Sequence, residues 1–139
     1  MANPLAAARD LAWVGQHEQA IALCTQLLGA SPLAPAQRID LLDLRAESFV
    51  AQGRFADAAG DAAAMLVLAR AQKHPTLQIQ ALNRQATTLM RQGQLNPALG
   101  VAAKAVELAQ RTRHAPLLAQ GLLHLGEIQI RAARTTTRP

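Results

Sequence analysis

Aromatic residues are almost absent from this chain. Its 139 residues include no Tyr, two Phe and one Trp, so any core has to be built from Leu, Ala, Val, Ile and Met. The same shortage leaves successive nucleic-acid bases few rings to stack on. Cysteine is nearly missing as well: Cys24 is the only one, which excludes an internal disulfide and fits a reducing, cytoplasmic setting. Long apolar runs do not occur. The longest, Ala62 to Ala69, has eight residues, far short of the roughly 20 that a bilayer-spanning helix needs. The N-terminal segment places Arg9 and Asp10 where a secretory signal would carry its apolar stretch, so export is not expected.

Chemistry-bearing motifs are missing too. No glycine-rich phosphate loop, nucleophile elbow or dinucleotide fingerprint is present, and the expectation is a protein that is not an enzyme and needs no cofactor. Among the four histidines, His17 opens HEQAI without the second His of a zinc-protease helix, and the others are not grouped at ligand spacing. No metal site is expected.

What the chain does have is repetition. Leu42 to Ala58, LDLRAESFVAQGRFADA, and Leu82 to Ala98, LNRQATTLMRQGQLNPA, share one skeleton: Leu, a small residue four places on, an apolar residue three later, Gly after four more, and Ala five beyond it. Ala8, Leu11, Gly15 and Ala20 carry the same spacings, and Leu122 and Gly126 begin a further copy. Gly15, Gly53 and Gly93 are 38 and 40 residues apart. Ala-rich sequence with helical apolar spacing, interrupted by Gly at this period, predicts stacked helix pairs. Each glycine ends one helix in a left-handed conformation, and Ala8, Ala46, Ala86 and Gly126, with Ala20, Ala58 and Ala98, mark the close approach of paired backbones. The predicted helices are 4–14, 17–28, 35–52, 55–72, 76–91, 97–112 with Asn96 as cap, and 116–133. Asn3-Pro4 starts the first, Ser31, Pro32 and Pro35 separate the first two repeats, and 135–139 are expected to be a disordered tail.

Small residue, Gly, then Ala resembles the tetratricopeptide repeat, and Leu122, Leu125 and Gly126 match that family's opening signature with Leu in place of Trp. The resemblance covers residues 4 to 134, with a longer period and less Tyr than the family usually has, like the variant in bacterial signalling and regulatory proteins. It implies an all-α, right-handed superhelical solenoid of about seven helices, one domain over 1–134, with repeats at about 3–32, 35–74 and 75–114 and a half repeat at 115–134. It implies a non-catalytic scaffold binding a partner protein or peptide through the concave face, as a regulatory or sensory module of a larger bacterial protein.

On that face the resemblance places Leu5, Asp43, Asn83 and Leu123 in one row and Arg9, Glu47, Thr87 and Glu127 in the next. Asp43 and Glu47 share a helix face, and Asp40 lies a turn before, so an acidic patch is expected in a chain of net charge +5. Such a patch suits a basic or amide-rich segment. The candidate partner-binding residues are thus Arg9, Asp40, Asp43, Glu47, Asn83, Thr87 and Glu127. The family's clamp for C-terminal carboxylates is not reproduced, because Leu5, Leu44 and Glu47 stand where it needs polar or cationic groups.

Cations recur at helix ends, with Arg70 and Lys73, Arg111 and Arg113, then Arg131, Arg134 and Arg138. They are placed to complement helix dipoles, as are Asp57 and Asp61 at the start of a helix, and nucleic acid is the disfavoured partner. The last helix carries more Leu and Ile than one neighbour can cover. Either the chain is a piece of a longer protein, or, as the alternative reading, it is a homo-oligomer, a homodimer through Leu118, Leu123 and Ile130.

Overall fold

The structure, a computed structural model, describes residues 4–30 and 32–136. Among the described residues it contains seven helices and no strand: α1 (Pro4–Trp13), α2 (His17–Ala30), α3 (Pro35–Ala51), α4 (Phe55–Gln72), α5 (Pro75–Arg91), α6 (Leu95–Thr112) and α7 (Ala115–Thr136). Each helix packs antiparallel on the next. In addition the backbones of α1 and α3, of α3 and α5 and of α5 and α7 come close together, whereas among the described residues those of α2, α4 and α6 do not approach one another. The odd-numbered helices therefore form one contiguous layer, on which the even-numbered ones pack.

The turns repeat as the sequence does. Gly15, Gly53 and Gly93 have φ of +83°, +74° and +84°, a region that costs a residue with a Cβ about 1–2 kcal/mol. Around Gly53 the amides of Gln52, Gly53 and Arg54 donate to the carbonyls of Ser48, Val50 and Phe49; forty residues on, those of Gln92, Gly93 and Gln94 donate to Thr88, Met90 and Leu89. The pairs end alike. Lys73 and Arg113 close α4 and α6 in the left-handed region, at φ 53° and 56°, just after Arg70 and Arg111 in the last turns.

Ala8, Ala46 and Ala86 in the first helices, and Ala20, Ala58 and Ala98 in the second, are completely buried, because the backbones cross there. Buried side chains form successive local clusters along the stack. One joins Ile39, Leu42, Met65, Ala69 and Ala81 from α3, α4 and α5; another joins Ala86, Met90, Ala98, Ala102 and Ile128 from α5, α6 and α7. Fully buried Ile39, Met65, Ile79 and Ile128 each contribute about 1.5–3 kcal/mol relative to exposure.

Four expectations need correction or placing. Helix α6 starts at Leu95 with Gln94 as its cap, so Asn96 does not cap it and Pro97 stands inside the first turn; its missing N–H is tolerated there because those amides have no intrahelical partner anyway. Gly126 is not a close-approach point: a Cβ there would meet nothing within 4 Å, since no described helix lies on that side of α7. Asp61 does more than complement a dipole, for it forms a bidentate pair with Arg45, Nε to Oδ2 at 2.9 Å and Nη2 to Oδ1 at 2.6 Å. Helix α7 continues through Thr135 and Thr136; the predicted roles of Asn3, Ser31, Arg138 and the rest of the tail lie outside the described residues.

Candidate functional site

Helices α3, α5 and α7 lie side by side, with α4 packed between α3 and α5 and α6 between α5 and α7. Polar positions forty residues apart are thereby aligned across the layer. Asp40, Gln80 and Gln120 form one row, Asp43, Asn83 and Leu123 a second, Leu44, Arg84 and His124 a third, and Glu47, Thr87 and Glu127 a fourth.

The rows interact directly. The Arg84 guanidinium donates through Nε to Asp43 Oδ1 at 2.6 Å and brings Nη2 within 3.9 Å of Glu47. Gln80 Nε2 donates to Asp40 at 3.0 Å and to Asp43 at 3.2 Å. The expected free acidic patch is thus largely engaged by α5. Reading each helix alone put Asp43 and Glu47 on one face but left out the neighbouring helix, whose Arg84 offsets them.

Two adjoining cavities follow this layer. The first, of about 260 Å³, is lined by Asp43, Gln80, Asn83, Thr87, Gln120 and His124, with Arg84 between them. The second, of about 470 Å³, is bordered by His17, Glu47, Met90, Arg91 and Glu127 and shares Arg84, Thr87 and His124 with the first. Of the residues picked out in the sequence, Asp43, Asn83 and Thr87 line the first cavity and Glu47, Thr87 and Glu127 the second. Arg9 is exposed on α1 and lines neither; Asp40 is held by Gln80. Glu127 is paired along its own helix with Arg131, at 3.3 Å.

Asn83 is only 4% exposed, and neither its Nδ2 nor its Oδ1 has a partner; His124 Nδ1 is likewise buried and unpartnered. Leaving such a group without a hydrogen bond costs about 1–3 kcal/mol. Burial and then the nearby Arg84 push the His124 imidazole below its ordinary pKa of 6.5, with Glu127 opposing. At the far end, His17 Nδ1 and Ser48 Oγ are 3.1 Å apart.

Gln80, Arg84, Gln120 and His124 were missed as site residues. A signal was present for Gln80 and Gln120, which share the forty-residue register of Asp40, and Arg84 and His124 share a register with each other.

The apolar face of α7 is divided. Leu123 is 71% and Ile130 56% exposed, and Leu122 joins them at 49%. Leu118 instead packs against the cluster of Ile79, Leu82, Ala105 and Ala109 and does not belong to that face. Cys24 is buried between α2 and α3, and burial pushes its thiol up to about 11, the behaviour of a core residue. No helix among the described residues is long and apolar enough to cross a membrane. Neither a scan against protein-family models nor a search of curated proteins finds a match for this chain.

Proposed function

We propose that this chain is a tetratricopeptide-like solenoid that binds a partner protein or peptide along the layer formed by α1, α3, α5 and α7, acting as a non-catalytic regulatory or sensory scaffold in a bacterial cytoplasm. The observation that carries the reading is the pair of adjoining cavities walled by successive odd helices, an elongated polar trough suited to an extended segment. Near-identical turn geometry at Gly53 and Gly93, and contacts confined to sequence neighbours and alternate odd helices, support a repeat array.

Site-specific photo-crosslinking tests it. A photoreactive residue at Thr87 in the trough is expected to capture a discrete partner, and one at exposed Lys104 on α6 is not. Glu47→Lys should weaken that capture. Capture from Lys104 with none from Thr87 would move the binding surface to the other side of the molecule and defeat the proposal.

A second reading, self-association, is favoured by the exposed Leu122, Leu123 and Ile130. It uses Leu122 and Ile130 on the open flank of α7, with Leu123 at the border of the binding layer, and is compatible with the first.

A further inference from the structure

We propose that the cavity between α3, α5 and α7 is a subsite for a side-chain primary amide, the end of a Gln or Asn on a partner segment. The inference rests on the reading of this layer as a peptide-binding trough and specifies what one part of it recognises.

Three buried polar atoms lack partners, Asn83 Nδ2, Asn83 Oδ1 and His124 Nδ1, and both residues line this one cavity. Asn83 is held with its Oδ1 toward Gly121, where an added Cβ would lie 3.7 Å away. Recognition by this group requires its amide to turn about its own side-chain bonds toward the space the residue walls. A ligand group there regains hydrogen bonds that the unliganded fold lacks.

Charge selects among ligands. Asp40, Asp43, Glu47 and Glu127 stand around this region against the guanidiniums of Arg84, Arg91 and Arg131, of which Arg84 Nε is taken by Asp43 and Arg131 by Glu127, so one negative charge is left over. A carboxylate would add repulsion. A cation could donate to Asn83 Oδ1 but would face Arg84 and leave the Asn83 Nδ2 donor without a partner. A primary amide carries a donor and an acceptor on the same side of one group, so it closes two reciprocal hydrogen bonds with the Asn83 carboxamide, whichever way that carboxamide is flipped. The neutral imidazole of His124 can take a third. A backbone peptide group is a poorer match, because its N–H and C=O point in opposite directions, and a cavity of about 260 Å³ suits a side-chain end better than a chain running through.

The test is NMR titration of the full chain with three blocked residues, the N-acetyl methylamides of glutamine, glutamate and glycine. The glutamine compound is expected to move the Asn83 side-chain amide and His124 ring signals saturably, at least tenfold more tightly than either of the others. Asn83→Leu should abolish the response, with circular dichroism checking that the variant folds. No saturable shift with glutamine would overturn the proposal, as would equal binding of glutamate. Equal binding of the glycine compound would overturn it while leaving the trough as a peptide site. Loss of Thr87 crosslinking with retained glutamine binding would instead remove the peptide-scaffold reading alone.

Discussion

At His124 the fold disfavours the charged imidazole. Its imidazole sits below the ordinary 6.5 chiefly through burial and then through Arg84, with Glu127 pulling the other way. As pH falls, the unfolded chain therefore takes up this proton before the folded one does. The stability linked to His124 is complete above about 6.5 and is lost as pH falls through that value toward the lower folded-state pKa. Thermal melts are expected to show a lower Tm at about pH 5.5 than at about pH 7.5, with His124→Gln flattening the dependence; an equal slope in that variant would assign the effect elsewhere. Glycines give a paired prediction at the same scale. Gly126 has open space around a would-be Cβ and a helical backbone, so Gly126→Ala should stabilise the fold by about 0.5–1 kcal/mol. Gly93, at φ +84°, should lose about 1 kcal/mol on the same change. Denaturant midpoints that moved in the same direction for both would contradict the assigned backbone conformations.

Between elements, short-range signals were legible and long-range pairings were not. The turn glycines, the small residues at crossings and the limits of most helices follow from local spacing, and Ala46, Ala58, Ala86 and Ala98 are buried where that spacing places them. The start of α6 was misread because Asn-Pro is a strong local cue, overridden here by a turn that copies the one after Gly53. Asp61 reads in the sequence as a dipole complement and Asp43 as part of an open acidic patch because their partners, Arg45 and Arg84, stand on other helices. Only the forty-residue register relates Arg84 to its neighbours, and that register becomes physical once α3 and α5 lie side by side. The Arg45–Asp61 pair ties α3 to α4, and Arg45 also donates through Nη1 to Thr25 on α2 at 3.1 Å. With Asp61 almost wholly buried and Arg45 20% exposed at its side chain, Asp61→Ala should cost about 3 kcal/mol, since it strands a partly buried guanidinium. Urea unfolding would measure this, and a loss below about 1 kcal/mol would reduce the pair to an ordinary surface bridge.

At the scale of the stack, no helix among the described residues packs on one more than two places away in the chain, so each face is buried only by near neighbours in sequence. Stability in such a stack is close to a sum of local interfaces, and a helix lacking a neighbour keeps an open face. Helix α5 shows what α7 is missing: Leu82 and Met90 are 9% and 5% exposed under α6, while their counterparts forty residues on, Leu122 and Ile130, are 49% and 56% exposed. Leu123 extends the same uncovered surface. Apolar surface removed from water is worth about 25 cal/mol per Å², and two copies meeting through α7 would bury such a patch from each. Light scattering is expected to give a mass that rises with concentration from 14.8 kDa toward the dimer. Leu123→Asp with Ile130→Asp should hold the chain as a monomer with an unchanged helical spectrum, because both side chains are free of the core. Leu118→Asp should behave differently and lower the melting temperature, since Leu118 packs against α5 and α6. A wild-type mass that stays monomeric at every concentration would leave the α7 face without a self-association role.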